Sequence, residues 1–411
     1  MRKKPWTKKP WRDSSAISKK KVLKNKSLLL GVTGGVAAYK SVGLVRRLID
    51  EGASVSVVMT EAAKKFVTPL SLEIASRNTV YTDLYSHPMA HITLPAHADL
   101  MVIAPATANL IGKFAHGLAD DLLSTCLIAF RGNVLIAPSM NWRMYSNSAV
   151  RENLAALLSR GVIQVGPEEG RLACGEEGPG RMSEIPDIVA AVQSAFSKKD
   201  LTEERILVTA GPTREYIDHV RFISNRSSGK MGYAIARAAL RRGAEVTLIS
   251  GSTSLHRPMG VKFIPAETAR DMLHRVREGI TSASILIMAA AVADFMPREK
   301  FPGKIKKTEG LLLDLERTPD ILTEISSEKH RPFLAGFAAE TGNRVENARQ
   351  KLKEKRLDLI IFNDVTEPDA GFDGDTNKVT LIDAQAEKQL PLLSKDEVAE
   401  VILDRIRELK A

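Results

Sequence analysis

Residues 27–60 read SLLLGVTGGVAAYKSVGLVRRLIDEGASVSVVMT, and this stretch decides the fold. The apolar run 27–31 stops at a turn containing Thr33, Gly34 and Gly35. An amphipathic stretch over about 37–51 follows and closes on Gly52-Ala53, which opens a second apolar run at 55–60. Strand, glycine turn, helix, glycine and strand make the βαβ unit of a doubly wound parallel sheet. The same phrase recurs downstream. The run 205–210 (RILVTA) meets Gly211-Pro212-Thr213, a helix is expected over about 229–243, and Gly243-Ala244 opens a strand at 245–250. The chain starts such a sheet twice, and 411 residues suit two cores better than one.

Working outward, the first half offers further strands at 100–104 and 134–137, with helices near 107–114, 120–130 and 149–160. The second half offers strands near 261–264, 285–290, 333–337, 358–362 and 378–382. Helices near 268–279, 343–356 and 395–409 separate or follow them. The polar stretch 197–204 (SKKDLTEE) marks the boundary. The expected domains are therefore 27–196 and 203–411, preceded by an arm at 1–26.

That arm carries eleven Lys or Arg and one Asp, which is the whole net charge of +10. The remaining chain is neutral, so the charge is no footprint of a nucleic-acid surface on the folded body. The arm cannot bury enough apolar surface to order itself and is expected to be disordered. Two cysteines, Cys126 and Cys174, exclude a disulfide framework and fit a reducing compartment. The longest apolar run, near 285–293, is too short for a membrane span, and the N-terminus has no signal-peptide core. A cytoplasmic protein handling small molecules is the expectation, with neither membrane nor nucleic acid as partner.

Neither half carries the dinucleotide fingerprint G-x-G-x-x-G. The first loop, GVTGGVAAYK, offers a hydroxyl at Thr33 and a helix N-terminus, which suits one phosphate monoester; glycines at such turns also occur for steric reasons alone. After the strand at 100–104, Pro105-Ala106-Thr107-Ala108-Asn109 offers small residues, a hydroxyl and an amide where open α/β sheets hold ligands. Thr107 also reads as an N-cap. Cys174 lies in a glycine-rich stretch, GRLACGEEGPGRM, expected to be a mobile lid, whereas Cys126 reads as core. In the second half, ISNRSSGKMG makes an anion cradle at a helix start without being a Walker A sequence. The acid Asp294 and the basic loop Lys304-Ile305-Lys306-Lys307 suit a triphosphate with Mg²⁺, although Lys-rich loops are usually just solvated.

APATANLIGKFAHGLADDLLST and PSMNWRMY closely resemble the flavin-dependent cysteine decarboxylases that act on 4′-phosphopantothenoylcysteine, over about residues 27–190. GPTRE, RFISNRSSGKMG, AAAVADF, KIKK, GFAAET and NDV resemble phosphopantothenate–cysteine ligase, over about 203–408. The whole chain is thus similar to the bacterial bifunctional family of coenzyme A synthesis. The resemblance implies α/β architecture with two doubly wound Rossmann-like domains, a flavodoxin-like flavoprotein domain before a nucleotide-binding ligase domain. It implies flavin mononucleotide (FMN) held by Thr33, Gly34, Thr60, Pro105, Ala106, Thr107, Asn109 and Met144. His91 in AHITL becomes the base that assists substrate oxidation, Asn141 the holder of the departing carboxylate, and Cys174 the proton donor.

For the ligase, the resemblance implies CTP contacts on Met288, Ala289, Ala290, Asp294, Lys304, Pro319, Asp320, Ile321, Leu322, Phe337, Lys351 and Lys355, with Asp294 toward Mg²⁺. Asn225 becomes an oxyanion donor and Lys304 the neutraliser of phosphate charge. Flavin sites of the family lie between subunits, which implies a homo-oligomer. Two other readings stand beside this one. An ordinary nicotinamide oxidoreductase would lack a use for KIKK and would need the missing fingerprint. A nucleic-acid module acting through the arm would leave both sets of motifs unexplained.

Overall fold

The computed structural model describes residues 22–306, 310–328, 331–340, 345–364 and 374–411. Its contacts divide the chain into two bodies at Ser197 and Lys198, inside the polar stretch. Residues 1–21 of the expected arm lie outside the described residues. The arm ends earlier than its charge pattern implied: residues 22–25 form a turn, and Leu23 is fully buried in the first core.

The first body is built on β1 (Ser27–Val32), β2 (Ser54–Met59), β3 (Val80–Tyr81), β4 (Leu100–Ala106), β5 (Asn133–Pro138) and β6 (Ile163–Gln164). All pairings are parallel and the order is β3-β2-β1-β4-β5-β6. That is the Rossmann order. A flavodoxin sheet runs 2-1-3-4-5, so of the two doubly wound descriptions the Rossmann one fits. Strands covered by helices on both faces must be apolar on both, which is why β1 and β4 read as unbroken apolar runs. The helix Lys40–Asp50 turns Leu44, Val45 and Leu48 to the sheet and Arg46 and Arg47 to solvent. Gly52 ends it at φ +97°, where the Ala53 N–H closes on Leu48 O at 3.1 Å.

The second body repeats the plan with β7 (Arg205–Ala210), β8 (Glu245–Ser250), β9 (Lys262–Pro265), β10 (Ile285–Met288), β11 (Phe333–Glu340) and β12 (Leu359–Asp364), in the order β9-β8-β7-β10-β11-β12. β13 (Val379–Asp383) and β14 (Glu387–Gln389) then extend it antiparallel. The helix Lys230–Arg241 follows β7 and ends at Gly243, φ +91°, with Ala244 N–H on Ala239 O. Both sheets reverse direction of growth beside their first strand, between β1 and β4 and between β7 and β10. Such a reversal leaves a crevice at the strands' carboxyl ends.

Several short elements escaped the sequence reading. The glycine-rich stretch around Cys174 is a packed hairpin instead of an irregular lid: Glu168–Arg171 pairs antiparallel with Glu177–Arg181. A second hairpin, Arg214–Tyr216 with Phe222–Ser224, interrupts the polar loop after β7. The C-terminal helix Lys395–Lys410 covers one face, with Arg405 paired to Asp383 at 2.7 Å and both side chains almost inaccessible.

Candidate functional sites

At the reversal of the first sheet, a cavity of about 1040 Å³ opens over the ends of β1, β4 and β5. Thr33 organises its floor. The buried hydroxyl donates to Pro105 O at 2.8 Å and accepts the Thr107 N–H at 3.1 Å, so it ties the end of β1 to the loop after β4. Ser41 strengthens the same junction by donating to Ala104 O at 2.8 Å. Gly34 borders the cavity where no side chain fits: a Cβ there would stand 2.4 Å from Ala62 Cβ. Gly35 caps the following helical turn without a side-chain bond.

Of the residues assigned to the flavin, Thr33, Gly34, Thr60, Thr107, Asn109 and Met144 line this cavity. Pro105 and Ala106 do not; they are buried behind it, with the Pro105 carbonyl spent on Thr33. Asn141 and Cys174 line it, and His91 does not. His91 sits on the helix Ala90–Ala96, half-buried, with its Nδ1 buried and lacking a hydrogen-bond partner among the described residues. Charged residues that the motif reading passed over also line the cavity. Lys40 pairs with Glu184 at 3.0 Å, and Lys113 pairs with Asp120 at 2.7 Å and Asp121 at 2.9 Å.

Cys174 reaches the cavity on the tip of its hairpin. Asn141 caps the short helix Trp142–Tyr145 by accepting the Arg143 N–H, which leaves its amide free to donate to Cys174 Sγ at 3.3 Å. Glu176 fastens the tip, accepting from Trp142 Nε1 at 2.8 Å and Arg143 Nη2 at 2.6 Å. The Trp142 bond is the largest influence holding the Glu176 carboxyl below its ordinary range; desolvation opposes it, and Asn141 and Arg143 reinforce it. Gly180 lets the hairpin lie against the 138–141 loop. Its φ is +151°, a Cβ would meet Met140 O at 2.1 Å, and its carbonyl accepts the Met140 N–H at 3.0 Å. Cys126, by contrast, is core: burial pushes its thiol up to about 12.

The crevice of the second body is tight. Gly211, Gly229 and Gly251 pack backbone to backbone; a Cβ on Gly251 would meet Pro212 O at 2.0 Å. Thr209, fully buried, accepts the Ala290 N–H at 3.2 Å, and Thr213 accepts the Ala293 N–H at 3.0 Å. A cavity of about 100 Å³ is lined by Ser227, Gly229, Lys230, Ala289, Ala290 and Phe337, with Asn363, Asn377 and Lys395 completing its polar wall. Ala289, Ala290 and Phe337 are thus the residues of the CTP set that meet there. Met288 is buried beneath them as the acceptor of the Thr209 hydroxyl.

The rest of that set lies outside the lining of this cavity. Asp320 caps the helix Ile321–Ser326 and pairs with Lys355 at 2.9 Å, next to Pro319 and Leu322. Burial opposes the charge on Asp320, yet the Lys355 bond and the Thr323 N–H hold its carboxyl below the ordinary value. Lys351 lies one helical turn before Lys355. Asp294 and Lys304 are exposed, and Lys307 of the basic loop lies outside the described residues. Asn225 donates to Val292 O at 2.8 Å, which joins the SNRSSG loop to the AAAVAD loop.

The flavoprotein family matches residues 16–197, and the family described as the DNA/pantothenate metabolism flavoprotein C-terminal domain matches residues 201–409. The Coenzyme A biosynthesis bifunctional protein CoaBC of Bacillus subtilis (strain 168) is 46% identical over 398 residues, covering 94% of this chain and 98% of that protein. The protein of the same name from Escherichia coli (strain K12) is 48% identical over 394 residues, covering 93% and 97%. Among solved structures, the C-terminal domain of a Coenzyme A biosynthesis bifunctional protein CoaBC is 43% identical. It spans 52% of this chain and 98% of its own, with a TM-score of 0.45.

Proposed function

This chain belongs to the family of bifunctional coenzyme A biosynthesis proteins, and from that premise we propose how its two bodies divide the work. It is a bifunctional enzyme, a flavoprotein decarboxylase joined to a ligase. The second body joins 4′-phosphopantothenate to cysteine with CTP, and the first converts the resulting 4′-phosphopantothenoylcysteine to 4′-phosphopantetheine. The observation that carries the first assignment is the 3.3 Å contact between Asn141 and Cys174 inside a cavity at the sheet reversal.

Flavin mononucleotide fits that cavity on this chain's own geometry. The space is ample, Gly34 leaves a cradle that a Cβ would fill, and the Gly35 turn has N–H groups without a side-chain cap. Thr60, Thr107, Asn109 and Met144 would hold it, with Thr33 fixing the loops from below. Bound there, it supplies a reversible acceptor for two electrons, which a carboxylate β to a thiol needs before CO₂ can leave. Asn141 donates to the substrate carboxylate and takes it out of water, which favours its departure as a neutral molecule. Cys174 Sγ–H then delivers a proton to the carbon that lost CO₂. His91 serves as the base, from an imidazole nitrogen that finds no partner within the described residues of its own body. A homo-oligomer supplies what His91 lacks.

In the second body the substrate carboxylate attacks the α-phosphorus of CTP, pyrophosphate leaves, and the cysteine amine takes the acyl group from the acyl-cytidylate, releasing CMP. Lys304 neutralises the developing phosphate charge, and Asn225 donates to the oxygen that gains charge during amide formation. Asp294, an exposed hard-oxygen donor, suits a Mg²⁺ carried in with the triphosphate. No described helix is long and apolar enough to cross a membrane.

The test supplies purified protein with phosphopantothenate, cysteine, Mg²⁺ and CTP. A yellow protein releasing pyrophosphate and then CO₂ is expected. Pyrophosphate without CO₂ would leave only the ligase assignment, and a colourless protein indifferent to CTP would leave neither.

A further inference from the structure

Asp218 sits in the turn of the hairpin Arg214–Tyr216/Phe222–Ser224, and its side chain is wholly inaccessible to solvent. A buried carboxylate must find partners for its lone pairs, and these are instructive. Oδ1 accepts the N–H groups of Val220 and Arg221, both at 2.7 Å, which closes its own turn as an Asp commonly does. Oδ2 reaches 87 residues along the chain to accept the Ile305 N–H at 3.1 Å, and it also accepts Arg221 Nη1 at 2.6 Å. The same guanidinium nitrogen donates to Ile305 O at 3.2 Å. Both backbone polar atoms of Ile305, the residue after Lys304, are thus engaged by the Asp218–Arg221 pair.

The docking continues upstream of Lys304. The Phe301 N–H donates to Ile217 O at 2.9 Å, and His219 Nε2 lies 3.1 Å from Pro302 O. At its other end the hairpin is fixed by Ser224, whose hydroxyl donates to Thr213 O at 2.7 Å, and by Asn225 on Val292 O. One short hairpin therefore carries Asn225 at its base and grips the loop of Lys304 at its tip.

We propose that Asp218 is a positioning residue for ligation: it fixes the Ile305 peptide and thereby sets where Lys304 stands relative to Asn225. This rests on the ligase roles given to those two side chains and adds the group that holds them in one frame. Burial opposes charge on Asp218, but the N–H groups of Ile305, Arg221 and Val220 and the Arg221 guanidinium outweigh it, so the carboxyl is held well below its ordinary range. The grip is anionic at neutral pH. An isosteric Asp218→Asn keeps an oxygen for the turn while turning an amide NH₂ toward the Ile305 N–H and the guanidinium, donor against donor. It releases the loop while keeping the Val220 and Arg221 N–H bonds that close the hairpin's turn.

The experiment uses the full chain. In Asp218→Asn, ligation kcat should fall roughly 10–100-fold from misplacement of Lys304, while the CTP KM moves by less than about threefold. Trypsin should cut after Lys304 and Lys306 sooner than in the parent chain. Decarboxylation of supplied 4′-phosphopantothenoylcysteine should be unchanged. A ligation kcat within about twofold of the parent overturns the proposal, as does tryptic cleavage spread evenly over the second body. A normal Asp218→Asn beside an inactive Lys304→Gln sinks the positioning alone; an active Lys304→Gln sinks the catalytic role of Lys304 and the positioning with it. A measurement on the unaltered chain guards against misfolding of the variant. The Ile305 amide should exchange with deuterium as slowly as those of the hairpin strands, and fast exchange contradicts the grip.

Discussion

In both bodies a buried threonine closes the end of the first strand onto the loop after the fourth. Thr33 does so through Pro105 O and the Thr107 N–H, and Thr209 through the Ala290 N–H. The sheets behind them share the order 3-2-1-4-5-6, so the crevice falls in the same topological place twice. What differs is how each crevice is furnished. In the first body the glycines stand at its rim, and a hairpin brings Cys174 in from beyond β6. In the second, the glycines pack backbone on backbone and the inserted hairpin follows the first strand directly, carrying Asn225 and gripping the Lys304 loop. The repeated sheet sets the position of a site; the insertions set its chemistry.

The sharpest way to break this division is Cys174→Ser. With Cys174 as the proposed proton donor, its loss should cut 4′-phosphopantetheine formation roughly 10²–10⁴-fold and stall the first body at the ene-thiol. Pyrophosphate release by the second body should continue undiminished. Next comes Asn225→Asp, which should slow amide formation by roughly 10²–10³-fold and let the acyl-cytidylate build up, detectable by mass spectrometry after quenching. Decarboxylation of supplied substrate should be normal. A variant that damages both activities alike would show the bodies to be one catalytic unit.

Gly34→Ala probes the cradle. A methyl group 2.4 Å from Ala62 Cβ overpacks by about 1–3 kcal/mol, so flavin retention should fall about tenfold or more, read from the visible absorbance of the purified protein. The smallest effect belongs to Glu176→Gln, which should loosen the tip and speed alkylation of Cys174 several-fold, on the order of one lost charge-assisted bond. The pH sign follows from the depressed carboxyl. The Glu176 latch is complete above the ordinary glutamate value and is lost as pH falls through the lower value of the folded state. Trp142 fluorescence should therefore stay constant from pH 8 to about 5.

The two βαβ openings were legible because a parallel strand buried on both faces leaves an unbroken apolar run, and because Gly52 and Gly243 punctuate their helices at positive φ. Cys174 and Asn141 were legible as motif residues, and the structure brings them within 3.3 Å. The hairpin that carries Cys174 was not. Its strands, EEGR and EGPGR, alternate nothing apolar; they are fixed by docking on the 138–141 loop, where Gly180 accepts no side chain. Nor did charge pattern separate Leu23 from the arm beside it, since burial of one leucine leaves no periodicity. The grip of Asp218 was invisible for a similar reason: its decisive partner lies 87 residues away, and only the tertiary fold joins them.

The most direct test mixes two variants that each lack one activity. Chains carrying Cys174→Ser and chains carrying Asn225→Asp are combined with phosphopantothenate, cysteine, Mg²⁺ and CTP. If each body runs its own chemistry, the mixture forms 4′-phosphopantetheine and CO₂ while neither variant alone does. A mixture as inert as its components contradicts the account.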